Sequence, residues 1–562
     1  MPHPLLERHQ ALLDRALQAI SERSYWSAFP ESPSPKVYGD GVAEAGKAAF
    51  DAMLNKPFAM SLPGTKGMVG RELSPYGFPL GVTYPQVDLD ALFNAISVAE
   101  PSWRKAGPEA WVGVALETLA RINRASFEIA HAVMHTTGQA FVMSFQAGGP
   151  HAQDRALEAI AYAWDEMRRV PGKAYWEKPQ GKNEPIRMEK RYTIVPRGVA
   201  LVIGCCTFPT WNGYAGLFAS LATGNAVIVK PHPGAILPLA ITVSIARQVL
   251  TEAGFDPNIV TLVAHDTGDD TAQRLALRPE VKIIDFTGSS ANGEWLERNA
   301  HQAQVFTEKA GVNQIVIDSA ADLRSVARNI AFSLALYTGQ MCTAPQNIYV
   351  PRDGIDTADG HMSVDQVAQA LADGVQKLTA DPARAVEVLG AVQNEGVARR
   401  IDAARALGPV ILDSHALVHP QFPEARIRTP LIVRLDANDR EKYLQEWFGP
   451  IAFIVMTADT HESLEIARGA VKAHGALTLS LYSTDPRVID DAVAVAEDAG
   501  VALSINLTGG VFVNQSAAFS DFHGTGSNPA ANAALTDAAF VASRFRVVQH
   551  RRHVESTPAI AA

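Results

Sequence analysis

The sequence has few cysteines and no recognisable metal motif. Its 562 residues contain three cysteines, no CxxC and no HExxH, and its 16 histidines are scattered, so no metal site is predicted. So few cysteines predict a reducing compartment, with the cytoplasm as the expected location. Cys205 and Cys206 are neighbours, and because vicinal disulfides are strained we interpret both as buried packing thiols.

Two further absences argue against membrane and nucleic-acid partners. No run of about 20 apolar residues is present to span a bilayer, and the first ten residues lack the apolar core of a signal peptide. The formal net charge of −10 opposes binding to polyanions. The one basic run, RFRVVQHRRH at 544–553, alternates with apolar residues and predicts a terminal strand with a solvated face.

The length predicts two to four domains, at ~150 residues per domain. Residues 5–20 have a helical pattern and precede a Pro- and Gly-rich stretch, which predicts an extension wrapped on the surface. Residues 91–169 have the periodicity of helices, and a hairpin is predicted around 181–192.

Short apolar strands then alternate with helices. The predicted strands are 199–203, 226–229, 259–263 and 281–286, and the predicted helices are 214–222, 237–253, 271–277 and 294–303. This alternation predicts βαβ units and a parallel sheet with its ligand beyond the carboxyl ends of the strands. A second alternating region covers 315–503.

An acid and a thiol are the candidate catalytic pair. Glu308 lies in TEKAG and Cys342 in GQMC. A thiolate attacks carbonyl carbons, and a carboxylate at the same site activates the water that releases the acyl group.

The candidate cofactor residues follow predicted strands. Lys230 ends the second strand, where its ammonium would face phosphate or ribose. Gly288 and Ser289 lie in FTGSSANG between a strand and a helix, where free N–H groups suit a pyrophosphate.

Six segments together resemble the aldehyde dehydrogenase superfamily in order and spacing, over about residues 95–530. They are TWN (210–212), TGNAVIVKP (223–231), FTGSSANG (286–293), TEKAG (307–311), GQMC (339–342) and EWFGP (446–450). The resemblance implies an α/β fold with a Rossmann-type cofactor domain, an α/β catalytic domain and a small oligomerisation element. The implied domains are 1–80 (N-terminal extension), 81–306 (NAD(P)-binding, with a hairpin at 181–196), 307–530 (catalytic) and 531–562 (oligomerisation strand and tail).

The resemblance also assigns roles to residues. Cys342 matches the nucleophile, Glu308 the general base and Asn212 the amide donor of an oxyanion hole. The implied cofactor-binding residues are Thr210, Trp211, Lys230, Gly268, Gly288, Ser289, Gly293, Glu446 and Phe448. Trp211 is also interpreted as structural support for the turn at Asn212.

Departures from the superfamily pattern bear on the cofactor and on the base. Pro233 stands where many members carry a ribose-binding glutamate, so repulsion toward a 2′-phosphate is removed, while His232 or Lys230 adds attraction. NADP is therefore the predicted cofactor, with NAD as the second candidate. Lys309 and Ala310 replace the usual Leu-Gly beside Glu308, which affects the expected local backbone.

Retention of Glu308 implies that water, not coenzyme A, accepts the acyl group. Within the superfamily, the extension and the run at 135–167 resemble phenylacetic acid degradation proteins. This resemblance implies a small-molecule aldehyde substrate, the CoA-linked semialdehyde formed by ring opening, and a separate hydratase acting upstream. The hairpin and the terminal strand near 538–550 lie where superfamily members pair subunits, so a homodimer or homotetramer is expected.

Two alternatives stay open. A cysteine-dependent acyl hydrolase would use Cys342 and Glu308 without a nucleotide, and an inactive scaffold would use neither. His135 and His523 are interpreted as packed histidines, with His523 as at most a lining residue, and Asp285 as a solvated or capping residue.

Overall fold

A computed structural model describes residues 3–309 and 311–555. Ala310, which belongs to the altered TEKAG motif, and residues 556–562 of the predicted tail lie outside the described residues. Among the described residues, no helix is both long and apolar enough to cross a membrane.

The N-terminal extension forms helices that pack into the main core. Its elements are α1 (Pro4–Arg8), α2 (Gln10–Glu22), α3 (Pro35–Tyr38), α4 (Val42–Met53), β1 (Thr65–Val69) and β2 (Tyr84–Val87). Leu13, Ala16 and Ile20 of α2 recur at helical spacing and are buried in the same cluster as the apolar segments 199–203 and 227–229. The extension is thus part of one core rather than a surface wrapping.

Five helices follow, as the periodicity predicts. They are α5 (Leu89–Ala106), α6 (Pro108–Arg124), α7 (Ser126–Thr137), α8 (Phe141–Gln146) and α9 (Ala152–Arg168). The Asp88 carboxylate caps α5 by accepting from the N–H groups of Asp90 and Ala91. A π-helical turn at Ala147–His151 joins α8 to α9.

A hairpin then precedes the five-stranded cofactor sheet. The elements are β3 (Lys173–Gln180), β4 (Asn183–Pro196), β5 (Val199–Ile203), α10 (Pro209–Ala222), β6 (Val227–Lys230), α11 (Leu237–Glu252), a 3-10 turn (Pro257–Ile259), β7 (Val260–Leu262), α12 (Thr271–Ala276), β8 (Val281–Gly288), α13 (Ser290–Asn299) and β9 (Gln304–Lys309). The sheet order is β7-β6-β5-β8-β9 and every pairing is parallel. The carboxyl ends of the strands therefore share one edge, which we call the carboxyl edge.

Two expectations about this region need correction. Helix α13 begins at Ser290 and not at residue 294, because Ser289 takes the extended N-cap conformation directly after β8. Strand β9 belongs to the cofactor sheet, so the predicted domain boundary after residue 306 falls inside a strand.

The second unit is built on a seven-stranded sheet. Its elements are β10 (Gln314–Ile317), β11 (Ser319–Ala320), α14 (Leu323–Ala335), a 3-10 turn (Leu336–Gly339), β12 (Asn347–Pro351), β13 (Ile355–Thr357), β14 (Gly360–Met362), α15 (Val364–Thr379), α16 (Pro382–Leu389), α17 (Glu395–Arg405), β15 (Val410–Leu412), β16 (Ala416–Leu417), β17 (Ile427–Arg428), β18 (Leu431–Asp436), α18 (Arg440–Tyr443), β19 (Ile451–Thr457), α19 (Thr460–His474), β20 (Thr478–Tyr482), α20 (Pro486–Ala499) and β21 (Ala502–Ile505). The order is β15-β18-β19-β12-β10-β20-β21, with only the β15–β18 pair antiparallel. Two parallel-sheet units confirm the predicted fold class.

The chain returns to the hairpin at its C-terminal end. Helix α21 (Ala538–Ala542) precedes β22 (Phe545–His553), which pairs antiparallel with β4 in the order β22-β4-β3. The predicted strand at 538–550 is therefore shifted, since 538–542 is helical. The predicted hairpin at 181–196 covers the turn and β4 but omits β3.

A buried ion pair attaches this C-terminal segment to the cofactor sheet. Arg544 is fully buried and donates to both carboxylate oxygens of Asp285, at 2.8 and 2.5 Å. It also donates to the Ser220 hydroxyl, at 2.7 Å, and faces the rings of Phe306 and Phe540. The expectation that Asp285 is solvated or caps a helix is wrong, because Asp285 is the counter-charge of a buried guanidinium.

Candidate active site

Cys342 follows a segment of strained backbone. Tyr337 and Thr338 have φ of 51° and 53°, and Gly339 has 59°, values that side chains rarely adopt. The Tyr337 hydroxyl donates to the Thr137 carbonyl, at 2.5 Å. The surrounding structure thus compels the turn that presents the thiol.

The Cys342 main chain is anchored from the strand side. The Asn313 amide donates to the Cys342 carbonyl at 2.7 Å and to the Ala344 carbonyl at 3.1 Å. Asn313 directly precedes β10, so the larger sheet fixes the loop that carries Cys342.

The three predicted catalytic residues come together. Glu308 lies near the carboxyl end of β9 and is buried. The Asn212 amide, in the first turn of α10, donates to the Glu308 carboxylate at 3.0 Å. The Cys342 thiol and the Glu308 carboxylate belong to one group of atoms that all lie within 4.8 Å of one another.

The charges of this group follow from burial and from its neighbours. Burial by itself raises the pKa of Glu308, but the His523 charge and hydrogen bonds from His523, Cys342 and Asn212 outweigh it and lower the pKa. Burial, followed by the Glu308 charge, raises the pKa of the Cys342 thiol well above its usual value. The resting site therefore pairs a carboxylate with a protonated thiol.

His523 is the residue that the sequence interpretation missed. Its Nε2 lies 3.1 Å from Glu308 Oε1 and 3.7 Å from Cys342 Sγ, so it is a member of the site and more than a lining residue. It reaches the site from a long loop, 181 residues from Cys342 in sequence. No local pattern around FHGTG distinguishes this histidine from a packed one. His135, by contrast, is a packed histidine, stacked on Phe50 with ring centroids 5.2 Å apart.

Thr210 and Trp211 support the site with their side chains. The Thr210 hydroxyl is buried and donates to the Gly148 carbonyl at 2.8 Å, so that hydroxyl is not presented to a cofactor. The Trp211 ring meets His523 edge-on, with centroids 4.6 Å apart. The structural interpretation of Trp211 is the one that these contacts favour.

Cys205 is part of the surroundings of the site rather than a simple packing thiol. Its Sγ contacts the Asn212 amide oxygen at 3.5 Å and accepts from the Phe208 N–H at 3.4 Å. Cys205 and Cys206 are both half-buried, and both are free thiols. The expectation that both are buried packing thiols therefore needs correction, because both are half-buried.

The carboxyl edge of the cofactor sheet carries unpaired polar groups. Lys230 is buried at the end of β6, and its ammonium has no hydrogen-bond partner in residues 3–309 and 311–555. Burial lowers its pKa to about 8, with partial opposition from Asp269. His265 follows β7, and its buried Nε2 is likewise without a partner within the described chain. Because Nδ1 donates to the Asp266 carbonyl at 2.8 Å, Nε2 of His265 is an unpaired acceptor. A buried ammonium and a buried acceptor without partners at this edge fit a dinucleotide.

The predicted glycines lie at the same edge. Gly268 has φ of +88° in the exposed turn between β7 and α12. Gly288 ends β8, and Ser289 is the N-cap of α13, where N–H groups of the first turn face a ligand. Gly293 is buried in the first turn of α13.

The altered motif beside Glu308 has a structural partner. Lys309 Nζ lies 3.0 and 3.1 Å from the two carboxylate oxygens of Glu297 on α13. The Thr307 hydroxyl donates to the same carboxylate at 2.5 Å. A Cβ on Gly293 would come within 2.6 Å of the Lys309 side chain. The lysine is thus neutralised and packed, and Gly293 leaves room for it.

Glu446 and Phe448 lie in the loop between α18 and β19. Burial raises the pKa of Glu446 to about 7, against the lowering effect of Arg400. Arg400 also donates to the Phe448 carbonyl at 2.8 Å and lies near Cys206, directly after β5. Arg400 thus fixes the main chain of this loop at Phe448.

A cavity of about 650 Å³ leads to Cys342. The N-terminal extension contributes Tyr25 and Trp26 to its wall, and Trp26 packs on Phe519 with ring centroids 4.7 Å apart. The volume suits a medium-sized organic ligand. Phe519 is buried and has φ of 65°, so the extension holds a strained part of the loop that carries His523.

The donor atoms of Cys342, His523 and Glu308 also form a set that suits Zn²⁺. A thiolate, an imidazole and a carboxylate are the usual zinc ligands, and the three lie within 4.8 Å of one another. The sequence predicts no metal site, because residues this far apart in sequence have no ligand spacing.

Comparisons with known proteins agree on one family. The model of the aldehyde dehydrogenase family matches residues 83–524. A crystal structure of an NAD-dependent aldehyde dehydrogenase from Burkholderia multivorans is 68% identical, with a TM-score of 0.98 over 99% of this chain and 100% of that chain. Aldehyde dehydrogenase LUC3 of a Fusarium species is 25% identical over 73% of this chain and 80% of its own. A Thermus 1-pyrroline-5-carboxylate dehydrogenase structure with bound NAD shares the fold at 18% identity, with a TM-score of 0.71 over 94% of this chain and 99% of that chain.

Proposed function

The chain belongs to the aldehyde dehydrogenase family, and on that premise we propose that it oxidises an aldehyde to a carboxylic acid with NAD(P), through a thioester on Cys342. The observation that carries this proposal is the meeting of a thiol, a carboxylate and an amide at one buried point, with the thiol and the amide on the wall of one cavity. These groups supply a nucleophile, a base and an oxyanion donor.

In the first step the thiol proton of Cys342 leaves to solvent through the cavity. The thiolate sulfur then attacks the aldehyde carbon, which forms a C–S bond and moves the carbonyl π electrons to the oxygen. The Asn212 amide has two N–H groups, and Glu308 accepts from the amide nitrogen in the resting structure. The second N–H is directed to the developing oxyanion, and loss of one such donor costs about 3–4 kcal/mol of barrier.

Bound NAD(P) would lie on the carboxyl edge, held by Lys230, the first turn of α13 and the loop of Glu446 and Phe448. When bound, this cofactor accepts hydride. Glu308 then takes a proton from the water that attacks the thioester carbon, the C–S bond breaks, and the acid leaves. The lowered pKa of Glu308 keeps it ionised for this step at neutral pH.

NADP is the proposed preferred cofactor, with NAD also used. The absence of a carboxylate at Pro233 supports NADP, as does Lys230. His232 adds no charge at neutral pH, because burial lowers its pKa to about 4. Asp269 opposes it by its charge. The Burkholderia multivorans relative is described as NAD-dependent, so kcat/KM measured with both cofactors is the test. A kcat/KM for NAD above that for NADP would overturn the preference.

The proposed substrate is the CoA-linked, ring-opened semialdehyde of phenylacetate degradation, supplied by a separate upstream hydratase. This rests on the resemblance of the extension and of residues 135–167 to the phenylacetic acid degradation protein PaaN. Retention of Glu308 supports release of a free acid.

A free, largely apolar aldehyde is the second candidate, because of the charge of the cavity. Among the described residues its wall contains no lysine or arginine, whereas it contains four carboxylates, those of Glu31, Asp154, Glu387 and Asp521. The phosphates of coenzyme A would be repelled by this wall. Assays of CoA-linked and free forms of one semialdehyde separate the candidates by kcat/KM.

A homodimer or homotetramer is proposed from the three-stranded sheet β22-β4-β3. Val547, Val548 and Ile186 on it are exposed apolar side chains, and β22 and β3 are its edges. The free cysteines are compatible with the proposed cytoplasmic location. Light scattering of the purified protein tests the assembly, and a monomer at micromolar concentration would exclude it.

The decisive experiment measures formation of reduced cofactor with a panel of aldehydes. Wild-type protein and Cys206→Ser, a matched cysteine control outside the proposed chemistry, should reduce NAD(P), and Cys342→Ala should not. An acyl hydrolase would cleave esters and thioesters but reduce no cofactor with any aldehyde. An inactive scaffold would do neither.

A further inference from the structure

A short stretch of the N-terminal extension joins two segments of the cofactor unit. The Gly70 N–H donates to the Asp266 carboxylate at 3.2 Å, in the loop that follows β7. The buried Glu72 carboxylate accepts from the N–H groups of Ile236 and Leu237, at 2.5 and 3.0 Å, where α11 begins after β6. Because β6 and β7 are neighbouring parallel strands, this stretch lies at the carboxyl edge of the cofactor sheet.

Arg71 lies between these two attachments and extends into solvent. Its side chain is 87% exposed, and its guanidinium lies 3.6 Å from the Asp266 carboxylate. In the part of the chain that the structure describes, the guanidinium forms this ion pair but no hydrogen bond. Exposed ion pairs contribute little to stability, so the guanidinium can turn toward a ligand at small cost.

A continuous series of contacts leads from Arg71 to the buried groups of the carboxyl edge. Asp266, which pairs with Arg71, accepts from His265 Nδ1 through its main-chain carbonyl at 2.8 Å. Burial, followed by the Lys230 charge, lowers the pKa of His265, so the lysine and the histidine are neighbours. The ammonium of Lys230 and Nε2 of His265 are the groups without partners described above. Arg71 is thus at the solvent end of the same site.

The remaining charges of this site do not favour a phosphate. Asp266 and Asp269 place two carboxylates beside it, and Asp269 acts on Lys230 through its charge. His232 supplies no cation at neutral pH, because burial lowers its pKa to about 4. A phosphate monoester carries a charge of about −1.5 to −2 at pH 7. A second cation besides Lys230 is therefore needed to offset the carboxylates.

We propose that Arg71 binds the 2′-phosphate of NADP and is a specificity-determining residue for the cofactor. The proposal rests on the NADP preference proposed above. The planar guanidinium donates two parallel N–H bonds to phosphate oxygens, and it stays charged below about pH 12. Lys230 holds the phosphate from the buried side and Arg71 from the exposed side. The N-terminal extension thereby supplies part of the cofactor site.

The ion pair with Asp266 makes the effect of Arg71 specific to NADP. The ribose hydroxyls of NAD are uncharged, so the guanidinium keeps Asp266 as its counter-charge when NAD binds. Removal of Arg71 therefore affects the two cofactors unequally. This inequality is the readout, because a merely structural role of residues 70–72 would weaken the binding of both cofactors alike.

The test is fluorescence titration of the protein with NADPH and with NADH, at pH 7 and low ionic strength, without aldehyde. Arg71→Ala should raise the dissociation constant for NADPH about tenfold or more, because a charge-assisted contact is lost, and should change that for NADH less than about twofold. Arg71→Lys should give an intermediate loss and Arg71→Glu a larger one. These variants should fold, because the exposed side chain is changed and the contacts of Gly70 and Glu72 are retained.

Arg274→Ala is the matched control variant. Arg274 is also exposed, and it pairs with Asp270 near the same loop at 3.8 Å. It lines a different groove, together with Asp88 and Asp90. The control thus removes one positive charge from the region without removing a contact to the phosphate. The dissociation constant for NADPH should stay within about twofold of the wild-type value, because distant exposed charges are screened.

The proposal is overturned if Arg71→Ala weakens NADPH and NADH binding alike, or if Arg274→Ala has an equal effect. NADPH binding by Arg71→Ala within about twofold of wild type, or no measurable NADPH binding by wild type, would also overturn it. Failure of the proposed function is seen separately. The preference fails if kcat/KM favours NAD, and the dehydrogenase proposal fails if no aldehyde yields reduced cofactor, even where NADPH affinity depends on Arg71.

Discussion

Lys230 should make NADP binding depend on pH above neutrality. Its ammonium is buried at the carboxyl edge, and burial lowers its pKa to about 8. The 2′-phosphate of NADP is ionised from pH 7 to pH 9. Of the phosphate and Lys230, only the lysine therefore changes its charge in that range. Below pH 8 the cation attracts the phosphate, and the attraction is lost as the pH rises through that value.

The magnitude follows from the pKa of the free protein. If NADP binds only when Lys230 is protonated, its dissociation constant is proportional to the ratio of total protein to protein with a protonated Lys230. That ratio rises about tenfold between pH 7 and pH 9, which is about 1.4 kcal/mol of binding free energy. Bound phosphate raises the pKa of the lysine in the complex, so the effect appears as weaker binding at high pH.

NADPH fluorescence titrations at fixed ionic strength measure this change. NADH, which lacks the 2′-phosphate, is the control ligand and should show a much smaller change. Lys230→Arg keeps its charge over the whole range and should bind NADPH with a flat pH dependence. Lys230→Met should bind weakly and also without pH dependence. The reasoning is refuted if wild-type affinity for NADPH stays within about twofold from pH 7 to 9, or if NADH shows the same slope.

Three further outcomes are expected. Glu308→Gln should accumulate a covalent acyl adduct visible by intact mass, with steady-state cofactor reduction lowered about 10²–10⁴-fold, and rapid turnover would contradict the base role. Asp285→Asn should cost about 3–5 kcal/mol because it leaves the Arg544 guanidinium buried without a counter-charge, and a urea midpoint equal to wild type would refute this. Zn²⁺ should inhibit reversibly through Cys342, His523 and Glu308, with EDTA restoring activity, and full activity in excess Zn²⁺ would rule the site out.

The proximity of Cys342, Glu308 and Asn212 was predictable because each residue lies in a short motif. Such motifs reflect the local backbone conformation that each residue requires. Examples are the end of strand β9, where Glu308 lies, and the first turn of helix α10, where Asn212 lies. The alternation of strands and helices likewise predicted most elements of the cofactor sheet. The structure brings the three side chains to one place, as the resemblance implied.

His523 and the Asp285–Arg544 pair were not predictable by the same means. Both depend on contacts between residues far apart in sequence, and neither has a spacing signal. The basic run that begins at Arg544 was predicted to have a solvated face. The Arg544 side chain is nevertheless buried, whereas most of β22 is exposed. The pattern of apolar and polar residues indicates which face of a helix or strand is buried. It does not indicate which distant charged residue an individual side chain contacts.

The contact between Trp26 and Phe519 has a consequence for biosynthesis. The chain emerges from the ribosome in the N- to C-terminal direction, so Trp26 waits for its partner Phe519 until all the residues between them have been synthesised. At ~5–20 residues per second this wait is roughly half a minute to a minute and a half. His523 emerges in the same late stretch as Phe519. A nascent chain therefore carries Cys342 before Phe519 and His523 have been made, and the site is assembled only after both have emerged.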